Sequence, residues 1–525
     1  MAKKFNITGT CIPSRHYMAD TSAKLKRVMA LIEEGEYFTI NRPRQYGKTT
    51  TMLSISSRLN NSEKYLAFNI SFEGIGSDVF LSEESFCRTF LELLINPMIE
   101  LGNEQLADFL KEESLKTDSL KALSESITAL TYRTDKKLVL LIDEVDRSSN
   151  NQLFLNFLGM LRSKFLSRDL KTEQTFHSII LAGVHDVKTL KLKLRPGEAA
   201  QYNSPWNIAT DFKVEMSLLP HEIVPMLEDY AQERGVELDA PALADRLYYY
   251  TSGYPFLVSA LCKIVDEDLL PEKEEKEWTV AHVETAARRL IHSERSNTNF
   301  DSLIKNLENN ADLYQLVYRM VIENETINFN VHDPLIEMGV VYGIFRNGQG
   351  LNIHNRIYAE IISNYMTSKL LTSGRGPTAE IADPYLLPGN VLNMEKILVK
   401  FQEYMREQHS KKDRDFIERN GRLVFLAFLK PIINGKGYAF KEPEISEERR
   451  LDIAVTFLQH HYAVELKVWR GEVAHEKGLM QLSDYLSRQN LQEGYLVIFD
   501  QRSVQKNWAQ EWLEVYGKRI FSIWV

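Results

Sequence analysis

The chain has 525 residues, 44% of them apolar and 26% charged, with a formal net charge of -9. That length divides into about three domains, and the ordinary apolar and charged content excludes a disordered, collagenous or coiled-coil chain. The acidic balance sets the average surface against nucleic acid unless basic groups gather in one region. Three widely spaced cysteines, Cys11, Cys87 and Cys262, fit neither a disulfide framework nor a zinc site, so a cytoplasmic protein is expected. No apolar signal region opens the chain and no run approaches a membrane span, so no membrane partner is expected.

In chain order, β-branched and aromatic runs predict strands at 37–40, 65–70, 138–142 and 178–184, with helical periodicity at 85–101 and 153–165 between them. Such alternation implies parallel strands with crossover helices. Residues 220–266 read as helical, interrupted at Ser252-Gly253-Tyr254-Pro255, and an acidic run follows at 272–277. Residues 310–366 read as helices plus a small hairpin, with an apolar run at 339–345, a turn at Asn347-Gly348-Gln349-Gly350 and a return at 351–353. That is the outline of a winged helix. Breakers place a linker at about 368–390, and a last α/β block runs to Val525, in which a helix ends at Glu418 before a strand at 423–428.

The strand at 37–40 leads into Asn41-Arg42-Pro43-Arg44-Gln45-Tyr46-Gly47-Lys48-Thr49-Thr50 and then a helix. Gly-Lys-Thr at a strand-to-helix turn suits a triphosphate, because backbone N–H groups and the helix N-terminus face the anion. Lys48 would neutralise phosphate oxygens and the Thr49 hydroxyl would ligate Mg²⁺, with Arg44, Gln45, Tyr46, Gly47 and Thr50 completing the ATP-binding loop. Arg42 stands where the first Gly of the phosphate-loop pattern is expected. The apolar run at 138–142 ends abruptly in Asp143-Glu144, as a buried strand does where an aqueous site begins. Asp143 would hold Mg²⁺ and Glu144 would polarise the attacking water. His185, past the fourth strand, is a candidate sensor of the γ-phosphate, and Arg162 and Arg195 are candidate arginine fingers.

These stretches, with Ser204-Pro205-Trp206-Asn207-Ile208-Ala209 and Gly253-Tyr254-Pro255-Phe256, make residues 5 to about 366 resemble the AAA-ATPase-like family within the STAND class of signalling NTPases. The resemblance implies that Arg at the first Gly position is no sign of a dead site. It also implies a helical lid carrying Gly253-Tyr254-Pro255 near the nucleotide, a winged helix behind it, and a homo-oligomer.

Near the other end, 450–457 and 462–468 alternate apolar and polar residues around a turn at Gln459-His460-His461. If the apolar residues share a buried face, Asp452, Glu465 and Lys467 emerge together on the other face. Such a patch can hold Mg²⁺ between Asp452 and Glu465 while Lys467 orients water for attack on phosphorus. Gln481 and Tyr485 follow at i and i+4 on a helix. Asp, then Glu-x-Lys thirteen residues later, then Gln-x-x-x-Tyr resembles the PD-(D/E)XK nuclease superfamily over about 395–525. The resemblance makes Asp452, Glu465 and Lys467 the catalytic core, with Gln481 and Glu418 in support.

The expected organisation is a multidomain α/β chain: a P-loop ASCE/AAA-type ATPase core at 1–215 on a parallel sheet, a helical lid at 216–300, a winged helix at 301–367, a linker at 368–394 and a restriction-endonuclease-like domain at 395–525. The expected function is an ATP-regulated, Mg²⁺-dependent nuclease acting on nucleic acid, DNA rather than RNA, with a place in anti-phage or mobile-element defence suggested by the family. The alternative is a STAND-type switch whose last domain senses nucleic acid without cutting it. Residues 391–525 carry roughly +2 of the total charge of -9, so the acidity belongs to the first 390 residues. Lys430, Arg422 and other basic residues of the last block are then available for phosphates.

Overall fold

The computed structural model of the chain describes residues 2–145, 151–183, 191–192, 201–202, 206, 208–210, 212, 214–273, 276–292, 297–321, 325, 327–348, 350–372, 385–407, 414–433, 437–440, 452–469, 471–500 and 508–525. They fall into two units, Met1–Tyr248 with Gly253–Trp278, and Tyr249–Ser252 with Thr279–Val525.

The first unit opens with α1 (Ser22–Glu33), β1 (Tyr37–Asn41), α2 (Lys48–Asn60), β2 (Tyr65–Ser71), α3 (Glu83–Glu100), α4 (Glu104–Ser114), α5 (Leu120–Thr131), β3 (Lys137–Asp143), α6 (Gln152–Asp169) and β4 (Ser178–Gly183). All four predicted strands form one parallel sheet in the order β1-β4-β3-β2. Side-chain alternation sends Phe38, Ile40, Val139, Leu141 and Ile180 toward Val28, Met52 and Ile55 on one face. On the other face Tyr37, Leu138, Leu140, Ile142 and Ile179 meet Phe90, Leu94, Ile127 and Leu158. Helices cover both faces, which is why the strands read as unbroken apolar runs. Ser82, Ser119 and Asn151 cap α3, α5 and α6 by accepting from Ser85 N, Ala122 N and Leu153 N. Because β4 lies between β1 and β3, the loop after β1 and the acids after β3 open at one edge of the sheet on either side of it. Thr210 N donates to Tyr37 O at 2.8 Å and Thr210 pairs with Phe38 in a parallel bridge at the outer edge of β1.

A two-residue ladder joins β5 (Lys191–Leu192) to β6 (Gln201–Tyr202). Then come α7 (Pro220–Arg234), β7 (Glu237–Leu238), α8 (Ala240–Thr251), α9 (Pro255–Ile264), α10 (Leu270–Lys273) and β8 (Glu277–Trp278), with β7 and β8 paired. The first unit closes at Trp278.

The second unit contains α11 (Val280–Ile291), α12 (Thr298–Glu308), α13 (Ala311–Val321), α14 (Pro334–Val341), β9 (Phe345–Gly348), β10 (Gly350–Ile353) and α15 (Arg356–Thr372). Helices and a hairpin are present as read, but 339–341 end α14 and the strand begins only at Phe345. Apolar residues at 339–345 serve both elements, so no periodicity marks the break. The expected linker is partly structured: 368–372 belong to α15, and β11 (Leu386–Leu387) pairs with β12 (Val391–Leu392).

Then come α16 (Met394–Glu407), α17 (Arg414–Ile433), β13 (Gly437–Phe440), β14 (Ile453–Phe457), β15 (His460–Val468), α18 (Glu472–Arg488), β16 (Glu493–Phe499), β17 (Gln510–Val515) and β18 (Lys518–Trp524). They build a mixed sheet in the order β13-β14-β15-β16-β18-β17. The strand expected at 423–428 is instead the middle of α17, whose Val424–Leu429 stretch is buried all round. A helix without a solvent face carries an unbroken apolar run, and at seven residues that run cannot be told from a strand. Lys430 is likewise not free for phosphate: its ammonium pairs with the fully buried Glu360 of α15 and donates to Asn364 Oδ1 at 2.6 Å.

Candidate functional sites

The loop between β1 and α2 is shaped by two left-handed residues, Gln45 at φ 57° and Gly47 at φ 78°. Gly47 adopts that conformation without strain and starts α2 at Lys48. Lys48, 8% exposed, folds back over the loop and donates to the Arg42 and Pro43 carbonyls at 2.9 and 3.0 Å. One residue on, the Thr49 hydroxyl donates to Asp143 Oδ2 at 2.6 Å. The two motifs, 94 residues apart, therefore meet directly. Asp143 is buried, and its other oxygen accepts from the Glu144 backbone N–H at 2.9 Å. Glu144 takes φ 58°, which turns the chain sharply as it leaves β3. Arg42 fills its unusual position by donating to the Asn41 and Val214 carbonyls at 2.7 and 2.8 Å and lying over the Phe212 ring. A side chain clamps the loop there.

Thr50 turns the other way and accepts from Cys11 N at 3.1 Å, so the N-terminal segment lies against the start of α2. Nothing in the spacing of Cys11 signalled this. The turn before α9 reaches the loop through Tyr254, whose hydroxyl donates to the Arg44 carbonyl at 2.6 Å and whose ring stands edge-on to Tyr46 at 4.7 Å. Tyr46 in turn meets Ser217 Oγ at 2.6 Å, and burial raises its phenol above the ordinary range. Gly253, at φ 73°, brings its carbonyl to Leu218 N at 2.8 Å; a Cβ there would lie 2.2 Å from the Leu218 carbonyl oxygen. Glycine is thus required where the sequence shows a helix break. His185 and Arg195 lie outside the described residues, and Arg162 is half-buried on α6.

In the second unit the β14–β15 register sets Ile453 opposite Val464, which brings Asp452 level with Glu465 as alternation predicts. The hairpin turns at Leu458-Gln459, with Leu458 at φ 52°; His460 and His461 belong to β15 rather than to the turn. Asp452 Oδ2 accepts from Leu466 N at 2.9 Å, and Glu465 Oε2 accepts from Asp452 N at 3.2 Å. Lys467 Nζ lies 2.6 Å from Glu465 Oε1. Asp452 and Glu465 are 5% and 1% exposed. Burial and the Asp452 charge raise the Glu465 carboxyl well above its ordinary range, against the pull of Lys467 and the Asp452 N–H. The Lys467 stem packs on α18 at Gly478, where a Cβ would lie 3.3 Å from it, and Gln481 is half-buried on the following turn. Among the described residues, no third carboxylate, imidazole or thiol joins this pair in a metal-sized cluster. Arg422 of α17, read from sequence only as one of many basic residues, is buried, and the charges of both acids act on it. Glu418 lies on the same helix, not at its end.

Both donor sets suit a hard divalent cation, which takes oxygen ligands: a hydroxyl with a carboxylate in the first unit, two carboxylates in the second. No helix among the described residues is long and apolar enough to cross a membrane. Residues 9–360 match a family model described as an AAA-like domain. Among solved structures, the chain is similar to the Walker-type ATPase PABY2304 of Pyrococcus abyssi at 12% identity and TM-score 0.46, over 68% of this chain and 99% of that one. It is also similar to the Thermotoga maritima RuvB Holliday junction branch migration motor at 14% identity and TM-score 0.33, over 64% of this chain and 92% of that one. For the Aeropyrum pernix ORC2 protein in ADPNP–ADP complexes, the identity is 12% and the TM-score 0.35, over 67% and 93%. No curated protein matches the sequence.

Proposed function

This chain belongs to the AAA-like domain family, and from that premise we propose that its first unit binds and hydrolyses ATP as a regulatory P-loop NTPase of STAND type, whose nucleotide state controls a metal-dependent nuclease in the C-terminal block. The contact of Thr49 with Asp143 carries the first half, because it joins the loop and the acid pair into one site. With ATP bound, Lys48 would exchange the Arg42 and Pro43 carbonyls for phosphate oxygens, Thr49 and Asp143 would hold Mg²⁺, and Glu144 would orient the attacking water. Bound there, the metal neutralises charge that develops on the phosphates.

The second half rests on Asp452, Glu465 and Lys467 gathered at one end of β14 and β15. Asp452 and Glu465 would hold Mg²⁺, and Lys467 would orient water toward phosphorus. In the hydrolysis, the water oxygen bonds to phosphorus, the ester P–O bond breaks, and a proton passes to the leaving sugar oxygen. The substrate class is nucleic acid, with DNA the first to test. The alternative is a switch that senses nucleic acid through the same block without cutting it.

Plasmid cleavage with Mg²⁺, with and without ATP, separates the two readings. Wild type should nick or cut in an ATP-dependent manner, Lys48→Ala should lose that dependence, and Asp452→Ala should not cut. Cleavage by Asp452→Ala at the wild-type rate sinks the nuclease assignment. A wild type that hydrolyses ATP but cuts no nucleic acid leaves the switch.

A further inference from the structure

The sequence offers Arg422 only as one of several basic residues available for phosphates, and the catalytic roles proposed above do not use it. It follows Gly421, where α17 approaches the sheet so closely that a Cβ would lie 2.8 Å from Cε1 of Phe499. Phe499 ends β16 directly across from Val468 of β15. The close approach therefore sets Arg422 near the ends of the central strands β15 and β16, the first of which carries Glu465 and Lys467. The residue is 9% exposed, and its Nε and Nη1 are buried without a hydrogen-bond partner among the described residues. Burial opposes its charge, while Asp452 and Glu465 favour it.

Buried N–H groups without acceptors are unfavourable, and folds retain them where something else supplies the acceptor. A guanidinium offers a planar fork of donors that matches two oxygens of a phosphate, whereas the ammonium of Lys467 is a point charge already set against Glu465. We propose that Arg422 grips the non-bridging oxygens of a nucleic-acid backbone phosphate lying against Asp452 and Glu465, fixing its phosphorus for attack. The assignment rests on the nuclease reading for the attack, and on the buried fork alone for the binding.

The test uses full-length protein and a labelled DNA duplex of about 20 base pairs, with Ca²⁺ for binding and Mg²⁺ for cleavage. Arg422→Gln should weaken binding about tenfold and lower the slope of log affinity against log salt by about one. Arg422→Lys should recover the slope but cleave about 100-fold more slowly than wild type, since charge returns without the fork. Mn²⁺ binding measured by calorimetry should persist in both variants, which also keeps the test valid if one of them folds poorly. Wild-type affinity and slope in Arg422→Gln overturn the proposal, as does loss of Mn²⁺ binding together with DNA binding in both variants, which marks a structural prop. If wild type cuts nothing but Arg422→Gln still loses affinity and slope, the nuclease reading fails and the phosphate grip stands. If wild type cuts and both variants cut equally fast, the grip fails and the nuclease reading stands.

Discussion

The two candidate sites are built from similar groups and held in opposite ways. Around the first, the principal charged groups have neutral partners from the chain: Lys48 rests on two carbonyls, Arg42 on two more, and Asp143 accepts from a hydroxyl and a backbone N–H. In the second, charge faces charge under burial, with Glu465 raised out of its ordinary range and two Arg422 donors unmatched among the described residues. A ligand at the first site exchanges partners, whereas a ligand at the second supplies them. The first should therefore bind reversibly with modest rearrangement, and the second should gain rigidity when filled.

The largest effects should come from removing one charge at each site. Lys48→Ala should lower phosphate release by about 100-fold or more, while Asp452→Asn should lower cleavage by a similar factor and leave phosphate release unchanged. Phosphate and plasmid assays on both variants check this, and loss of phosphate release in Asp452→Asn erases the distinction between the sites. Gly253→Ala comes next. A Cβ 2.2 Å from a carbonyl oxygen, on a backbone at φ 73°, should destabilise the first unit by at least about 2 kcal/mol, visible as a lower melting temperature. Tyr254→Phe deletes one hydroxyl donor and should cost about 1 kcal/mol, raising the Kd for ADP several-fold by fluorescence titration.

A separate effect concerns pH. Burial pushes His177 down to about 4, with Lys137 and Arg168 adding to the shift. The folded state thus keeps this imidazole neutral while the unfolded chain protonates it near 6.5. Its contribution is present above pH 6.5 and is lost as pH falls through about 4. Denaturant melts of the first unit between these values should show a slope of up to one proton that His177→Gln flattens.

Much of the first unit was legible because both faces of its sheet are covered, so every strand announces itself as an apolar run ending in polar residues. β3 and its terminal Asp143-Glu144 are the clearest case. The same rule misled at α17, where complete burial removed the polar face that distinguishes a helix. Asp452, Glu465 and Lys467 could be placed together because alternation in a tight hairpin leaves no freedom. Arg422 could not, since only the close approach of α17 at Gly421 brings it near the end of β15. The Thr50–Cys11 and Tyr254–Arg44 contacts span 39 and 210 residues of chain and follow no local period.

Helix α17 has 20 residues, a rod of about 30 Å. Arg422 sits eight positions before Lys430, whose ammonium is sunk into the Glu360 carboxylate of α15. Pulling α15 away would strand one buried charge on each helix, a penalty of about 3 to 5 kcal/mol. Small displacements of α15 are therefore cheaper if α17 travels with it. Any shift of α15 that carried α17 along would then also move Arg422, two turns from Lys430 on the same helix.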